Sequence, residues 1–80
     1  MRAVAYVLIR VEAGKARKVM EELQKMEEVL HVDAVTGPFD LIVSMGGADF
    51  TAIAKKVIDE IHKIDGVKET ITCNVISFEQ

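Results

Sequence analysis

Residues 35–43 read Val-Thr-Gly-Pro-Phe-Asp-Leu-Ile-Val, two apolar segments joined by a Gly37-Pro38 turn. Glycine and proline are typical of turns between strands, so we predict a strand on each side of this pair. Asp40 stands at the head of the second strand, and carboxylates are rarely buried without a partner. We therefore expect its carboxylate to bind a turn amide, a positive side chain or the ammonium group of a ligand.

Apolar periodicity on both sides of this hairpin predicts two helices and two further strands. The first helix has an apolar stripe at helical spacing, and the second has an N-cap residue in Asp49 and a helix-ending glycine in Gly66. Gly46-Gly47 is expected to end the third strand. The predicted elements are a strand at 3–11, a helix at 15–28, strands at 29–36 and 39–45, a helix from Phe50 to about 65, and a strand from Val67 to about Phe78.

The order of these elements is β-α-β-β-α-β, which predicts an α+β fold of the ferredoxin-like βαββαβ sandwich type. Right-handed crossovers place both helices on one face of a four-stranded antiparallel sheet. The first and third strands then lie in the centre of that sheet.

The predicted strands carry apolar side chains on both faces, and the two helices can cover only one. An uncovered apolar sheet face is larger than a monomer normally exposes. We therefore expect a two-fold copy of the chain to cover it, which gives a dimeric α+β barrel. The alternative is that a ligand or another protein covers this face. The residues predicted at this dimer interface are Val4, Tyr6, Leu8, Ile42, Ile76 and Phe78.

Length and composition limit the possible functions. Eighty residues correspond to one small domain spanning 1–80. The net charge of −3 disfavours direct binding of nucleic acid, and no apolar run has the ~18–20 residues of a membrane helix. A single cysteine, Cys73, suits a reducing cytoplasm, and its alternation with Ile71 and Val75 predicts a buried side chain.

Few residues suggest chemistry of their own. His31 and Asp33 share a strand face but lack a third metal ligand, and no nucleophile–histidine pairing is evident, so we predict no catalytic residue, metal or cofactor. Thr70 and Thr72 share one face of the last strand and are either ordinary strand formers or ligand contacts. Asp40 is either a lock on its own turn or a ligand contact, and the two roles are compatible.

Three groups of residues give the chain a family resemblance. They are Val35-Thr36-Gly37-x-Phe39-Asp40-Leu41, the Asp49-Phe50 pair that opens the second helix, and Ile64-x-Gly66-Val67-x-x-Thr70-x-Thr72. With them the whole chain resembles the effector-binding domain, or RAM domain, of the Lrp/AsnC (feast/famine) transcription regulators. Full-length members carry a helix-turn-helix DNA-binding domain ahead of this one. Because this chain starts at the first strand, it resembles the stand-alone members.

The resemblance implies a cytoplasmic dimer that assembles further into an octamer or decamer and does not bind DNA or membranes itself. It also implies a small-molecule effector, typically an amino acid, bound in crevices between dimers, and co-assembly with full-length paralogues. Asp40 would then accept hydrogen bonds from the ligand ammonium, and backbone amides near Thr36 and Gly37 would bind the ligand carboxylate. Pro38 removes one such amide. The ligand-binding residues implied are Thr36, Gly37, Phe39, Asp40, Thr70 and Thr72.

Two other classes of protein fit the same element order. An ACT-like amino-acid sensor would use a glycine between the first strand and first helix, where Gly14 stands. A small dimeric α+β barrel enzyme, such as a monooxygenase, would need an interior cavity lined by His, Asn or Trp, and this chain has no Trp.

Overall fold

The central strand of the sheet, β1, pairs along both of its edges in a computed structural model that describes residues 3–78. Its neighbours give a four-stranded antiparallel sheet in the order β2-β3-β1-β4, with β1 and β3 in the centre as predicted. The α+β ferredoxin-like βαββαβ prediction is confirmed. The elements are β1 (Ala3–Val11), α1 (Ala16–Gln24), β2 (Val29–Ala34), β3 (Leu41–Gly47), α2 (Phe50–Asp59), a short 3-10 helix (Ile61–Lys63) and β4 (Val67–Asn74).

One face of the sheet packs against the helices and forms the core. Alternate residues of β1 and β3 point to this side, and α1 and α2 cover them with apolar side chains at helical spacing. No polar or charged side chain among residues 3–78 is buried. The core consists of Ala3, Ala5, Val7, Ile9, Val19, Leu23, Val32, Leu41, Val43, Met45, Ile53, Val57 and Ile61.

The other sheet face is uncovered in the single chain, and we call it the open face. Register defines its centre, since Leu8 of β1 pairs with Ile42 of β3 on one side and with Ile71 of β4 on the other. Tyr6, 47% exposed, pairs in the same way with Ser44 and Cys73. The apolar residues of the open face in the strands are Val4, Tyr6, Leu8, Ile42, Ile71 and Cys73.

The last strand differs from the sequence prediction in its length and in the side chains that it exposes. β4 ends at Asn74, so the prediction of a strand to Phe78 is wrong. Ile76 and Phe78 lie beyond the strand, 69% and 92% exposed, and are not part of the open sheet face. The prediction of a buried Cys73 is also wrong, because β4 is an edge strand and its register puts Cys73 beside Tyr6 on the uncovered side.

Two glycines expected to end the third strand instead belong to it. Gly46 and Gly47 pair with Val4 and Ala3 of β1. A Cβ atom on Gly47 would lie 3.0 Å from Ile53 Cγ1, so the absence of a side chain lets α2 approach the sheet closely. Gly47 thus marks close packing between β3 and α2 rather than the end of the strand.

Both helices are shorter than predicted. α1 ends at Gln24 rather than at residue 28, because the Glu28 carbonyl accepts a hydrogen bond from the Gly46 amide (2.9 Å) and joins the sheet. α2 begins as predicted, with the Asp49 carboxylate accepting from the Ala52 amide at 2.8 Å, but it ends at Asp59. β2 likewise ends at Ala34 rather than at residue 36.

Gly66 is required at the turn into β4 for two reasons. Its φ of +105° lies in the region that L side chains rarely adopt, and an added Cβ would lie 2.8 Å from Lys15 Cβ. Its carbonyl also accepts a hydrogen bond from the Glu12 amide at 2.8 Å, which continues the β1–β4 pairing past the end of both strands. The glycine therefore lets α1 and β4 begin side by side.

Candidate functional site

The carboxylate of Asp40 is bound to the backbone of the central strand. Its Oδ2 accepts a hydrogen bond from the Val11 amide at 2.8 Å. The Asp40 backbone is held on both sides, since its amide donates to the Ile9 carbonyl (2.9 Å) and its carbonyl accepts from the Val35 amide (3.0 Å). Of the three partners expected for this carboxylate, the one present is a backbone amide, and it comes from β1 rather than from the turn.

The position of this hydrogen bond follows from the unequal lengths of two neighbouring strands. β1 continues to Val11, whereas its pairing with β3 ends at Leu41, where the chain departs into the turn. The Val11 amide would otherwise have no partner on that side, and a partly buried amide needs one. The Asp40 side chain therefore continues the β1–β3 ladder by one hydrogen bond. A carboxylate has about four acceptor positions, so this bond leaves capacity for another donor.

The turn that precedes Asp40 lies at the end of the sheet and projects into solvent. Thr36, Gly37 and Pro38 are exposed, and Gly37 has a φ of +119°, which favours glycine. Phe39 is half-buried, and the guanidinium carbon of Arg10 lies 5.4 Å from the centre of its ring, within cation–π range. Thr36, Gly37, Phe39 and Asp40 thus lie together at one end of the sheet, and we call residues 36–40 the effector loop after the role that the family resemblance implies.

The two threonines predicted as ligand contacts lie elsewhere. Thr70 pairs with Ile9 and Thr72 with Val7, so both are separated from the effector loop by the whole width of β1, about 10 Å for two strand spacings. The Thr70 hydroxyl lies 2.7 Å from His62 Nε2, beside a shallow cleft that also includes Val67, Lys68 and Glu69. One chain therefore does not bring Thr70 and Thr72 together with Asp40.

Sequence reasoning missed Arg10, which lies beside Phe39 of the effector loop, and its partner Glu69 on β4. Arg10 and Glu69 are directly opposite each other in the β1–β4 pair, and Arg10 Nε lies 3.1 Å from Glu69 Oε1. A lone arginine in an otherwise apolar strand was a visible signal for the first. Nothing in the sequence indicated Glu69, because its place opposite Arg10 depends on strand register.

The side chains whose pKa values are shifted belong to ion pairs away from the effector loop. Lys15 Nζ lies 2.7 Å from Asp65 Oδ2, and this pair lowers the pKa of Asp65 and raises that of Lys15. Hydrogen bonds to Glu60 and Glu28 raise the pKa of Lys56. The Lys15–Asp65 pair joins the start of α1 to the segment before β4, and the Lys56–Glu28 pair joins α2 to the segment before β2.

Residues 3–78 contain neither a metal-binding cluster nor a helix suited to a membrane. No three His, Cys, Asp or Glu side chains in this part of the chain are grouped so that they could hold a metal ion. His31 and Asp33 bind each other, with Nε2 and Oδ1 3.0 Å apart at the margin of the open face. None of the described helices has the length and apolar character needed to cross a membrane.

Comparison with known proteins identifies the family. The sequence model described as the Lrp/AsnC ligand binding domain matches residues 4–78. The chain belongs to this family. An uncharacterized HTH-type transcriptional regulator of Pyrococcus abyssi is 32% identical over 77 residues, which cover 96% of the chain and 49% of that protein. The chain thus spans about half the length of the curated relatives it matches.

Solved structures of other proteins have the same fold. The crystal structure of FFRP-DM1 matches with a TM-score of 0.88 and 32% identity, over 92% of this chain and 99% of that one. A transcriptional regulator from Neisseria meningitidis, solved as an L-Met complex, matches with a TM-score of 0.84 and 24% identity, over 98% of this chain and 52% of that one. The second likeness establishes the fold alone.

The bond between Asp40 and Val11 predicts different stabilities for two variants. Asp40→Ala leaves the Val11 amide without its acceptor and should lower the free energy of unfolding by about 1–3 kcal/mol. Asp40→Asn keeps an acceptor oxygen at the same place and should lose about half as much. Urea unfolding measures both, with Asp59→Ala on exposed α2 as a control expected to change stability by less than about 0.5 kcal/mol. Equal stability of the alanine variant and the parent would contradict the role given to this bond.

Proposed function

We propose that this chain is a small-molecule-binding regulatory domain of the Lrp/AsnC type whose effector is an amino acid, and that it carries out no chemistry. The observation that carries the proposal is the family match over residues 4–78, nearly the whole chain. Relatives about 30% identical are HTH-type transcriptional regulators, which supports a regulatory rather than an enzymatic role. A cytoplasmic location accords with this role.

An amino-acid effector has support from one structural neighbour and from the loop itself. The Neisseria meningitidis regulator with this fold was solved with L-Met. In this chain the Asp40 carboxylate has acceptor capacity beyond the Val11 amide and would accept hydrogen bonds from an α-ammonium group. Backbone amides at Thr36 and Gly37 would contribute to binding the ligand carboxylate, and Phe39 would form one wall of the site.

The pocket is proposed to lie between subunits. Thr70 and Thr72 are on an edge strand and, within one chain, are separated from the effector loop by β1. A neighbouring subunit could bring its own β4 edge to the effector loop and so supply both threonines. This arrangement needs an assembly larger than a dimer, for which an octamer or decamer is our proposal.

The dimer is proposed to form through the open face. Its apolar centre includes Leu8 between Ile42 and Ile71, and Val4 and Tyr6 extend it along β1. Burying a few hundred Å² of apolar surface per chain, at about 25 cal/mol per Å², contributes on the order of 10 kcal/mol before association costs. The exposed tail residues Ile76 and Phe78 would contact the partner from outside the sheet.

Regulation of DNA binding is proposed to act through co-assembly with full-length Lrp/AsnC paralogues. A shared open face would allow one chain of each kind to form a mixed dimer. Size-exclusion chromatography of a mixture would show a joint species, and two separate species would contradict this proposal.

A thermal-shift screen of the twenty amino acids tests the effector proposal. A ligand at ten times its Kd adds about 1.4 kcal/mol of stability, which raises the Tm of a domain this size by about 5–10 °C. Asp40→Asn should keep the fold and lose most of this shift, because its amide cannot pair with an ammonium charge. Asp59→Asn is the matched control and should respond like the parent. No shift with any amino acid would overturn the effector proposal, and a full shift in Asp40→Asn would remove Asp40 from the site.

A charge in the open face tests the dimer. Leu8→Asp would place an unpaired carboxylate among Ile42, Ile71 and the partner's apolar surface, so the variant should be a monomer by light scattering. Ile58→Asp, on the exposed side of α2, is the control and should keep the parent mass. A folded Leu8→Asp variant with the parent's mass would show that the interface is elsewhere. A monomeric parent would overturn the dimer proposal.

A further inference from the structure

Arg10 is a cationic side chain next to the effector loop that the family motif does not include. It is near the end of β1, one residue before Val11, whose amide binds Asp40. Its side chain is 43% exposed and its guanidinium lies over the ring of Phe39 at 5.4 Å. The Phe39 ring therefore has the Arg10 guanidinium beside it, and the next residue in the chain is Asp40.

The effector loop has few amide donors to offer an anionic ligand group. Pro38 has no N–H, and the Asp40 amide already donates to the Ile9 carbonyl. The Val35 amide at the start of the turn is bonded to the Asp40 carbonyl. The Thr36 and Gly37 amides remain as the donors proposed for a ligand carboxylate, and a guanidinium is the side chain best suited to add two more donors at once.

We propose that Arg10 binds the carboxylate of the α-amino-acid effector, and that Glu69 holds Arg10 when the effector is absent. This inference rests on the proposed function and identifies the side chain that binds the carboxylate of the ligand. Asp40 then binds the ammonium end, so the two charges select a free amino acid over an amine or an amide. Glu69 is a positioning residue, since it acts through Arg10.

The geometry makes this exchange feasible. The bond to Glu69 uses Arg10 Nε, one of five N–H donors in a planar fork. Glu69 is half-exposed, and ion pairs at such positions contribute little, so a ligand carboxylate can replace or join it at low cost. The stacked Phe39 ring restrains the guanidinium in the unliganded protein, which lowers the entropy lost when the ligand binds.

The test is calorimetric titration of each amino acid that binds the parent protein into variants at position 10. Arg10→Gln should raise Kd about 10-fold to 100-fold, as expected for loss of a charge-assisted hydrogen-bond pair. Arg10→Lys should recover part of the affinity, because it restores the charge without the fork. Arg17→Gln, which removes an exposed arginine from α1, is the matched control and should bind like the parent.

Two further measurements separate ligand contact from a structural role. The carboxamide of each binding amino acid should bind the parent more weakly than the amino acid, and Arg10→Gln should abolish that difference. Glu69→Gln should lower the Kd a few-fold, because it removes the competing carboxylate while Arg10 stays in place. These two readouts remain decisive if Arg10→Gln does not fold, since both the carboxamide comparison in the parent and Glu69→Gln leave Arg10 unchanged.

The outcomes distinguish failure of the Arg10 inference from failure of the effector proposal. If no amino acid binds the parent, both fail. If amino acids bind the parent and Arg10→Gln binds them equally well, or if the parent does not distinguish acid from carboxamide, the Arg10 inference fails and the effector proposal stands. An unchanged or raised Kd in Glu69→Gln overturns the holding role of Glu69.

Discussion

Strand β1 must be hydrogen-bonded along both edges, and much of the structure follows from this requirement. β3 satisfies one edge and β4 the other. Where these strands end, substitutes complete the pairing, namely the Asp40 carboxylate at Val11 and the Gly66 carbonyl at Glu12. Two residues of the family motif, Asp40 and Gly66, therefore complete the edges of the central strand.

Much of the fold could be predicted from alternation and from a few local signals. Asp49 marked the start of α2, the Gly37-Pro38 turn marked the hairpin, and the element order fixed the sheet topology. The ends of elements were less predictable, because tertiary packing decides them. Gly46 and Gly47 read locally as a strand terminator, yet both pair with β1, and Gly47 leaves the room in which Ile53 of α2 packs against the backbone. Alternation grouped Ile71 with Cys73, but only the register with β1 shows that these two face away from the helices.

The sequence predicted several residues of the candidate site, but it did not predict how the fold arranges them. The sequence indicated that Asp40 needs a partner, and the structure supplies an amide 29 positions away that no side-chain pattern could reveal. Thr70 and Thr72 were grouped with the effector loop by family resemblance, but the sheet order puts β1 between these threonines and the loop. Arg10 and Glu69 meet because antiparallel register makes them opposite neighbours, which is a long-range property of the fold.

The attachment of Asp40 to β1 has a mechanical consequence for signalling. The segment around Asp40 is bonded to Ile9, Val11 and Val35, so it is part of the rigid sheet and has no hinge of its own. A ligand held by the Asp40 carboxylate, as proposed, would therefore act on the sheet itself rather than on a flap of one protomer. Under that proposal, its effect would pass to neighbouring protomers as a change in their spacing or tilt.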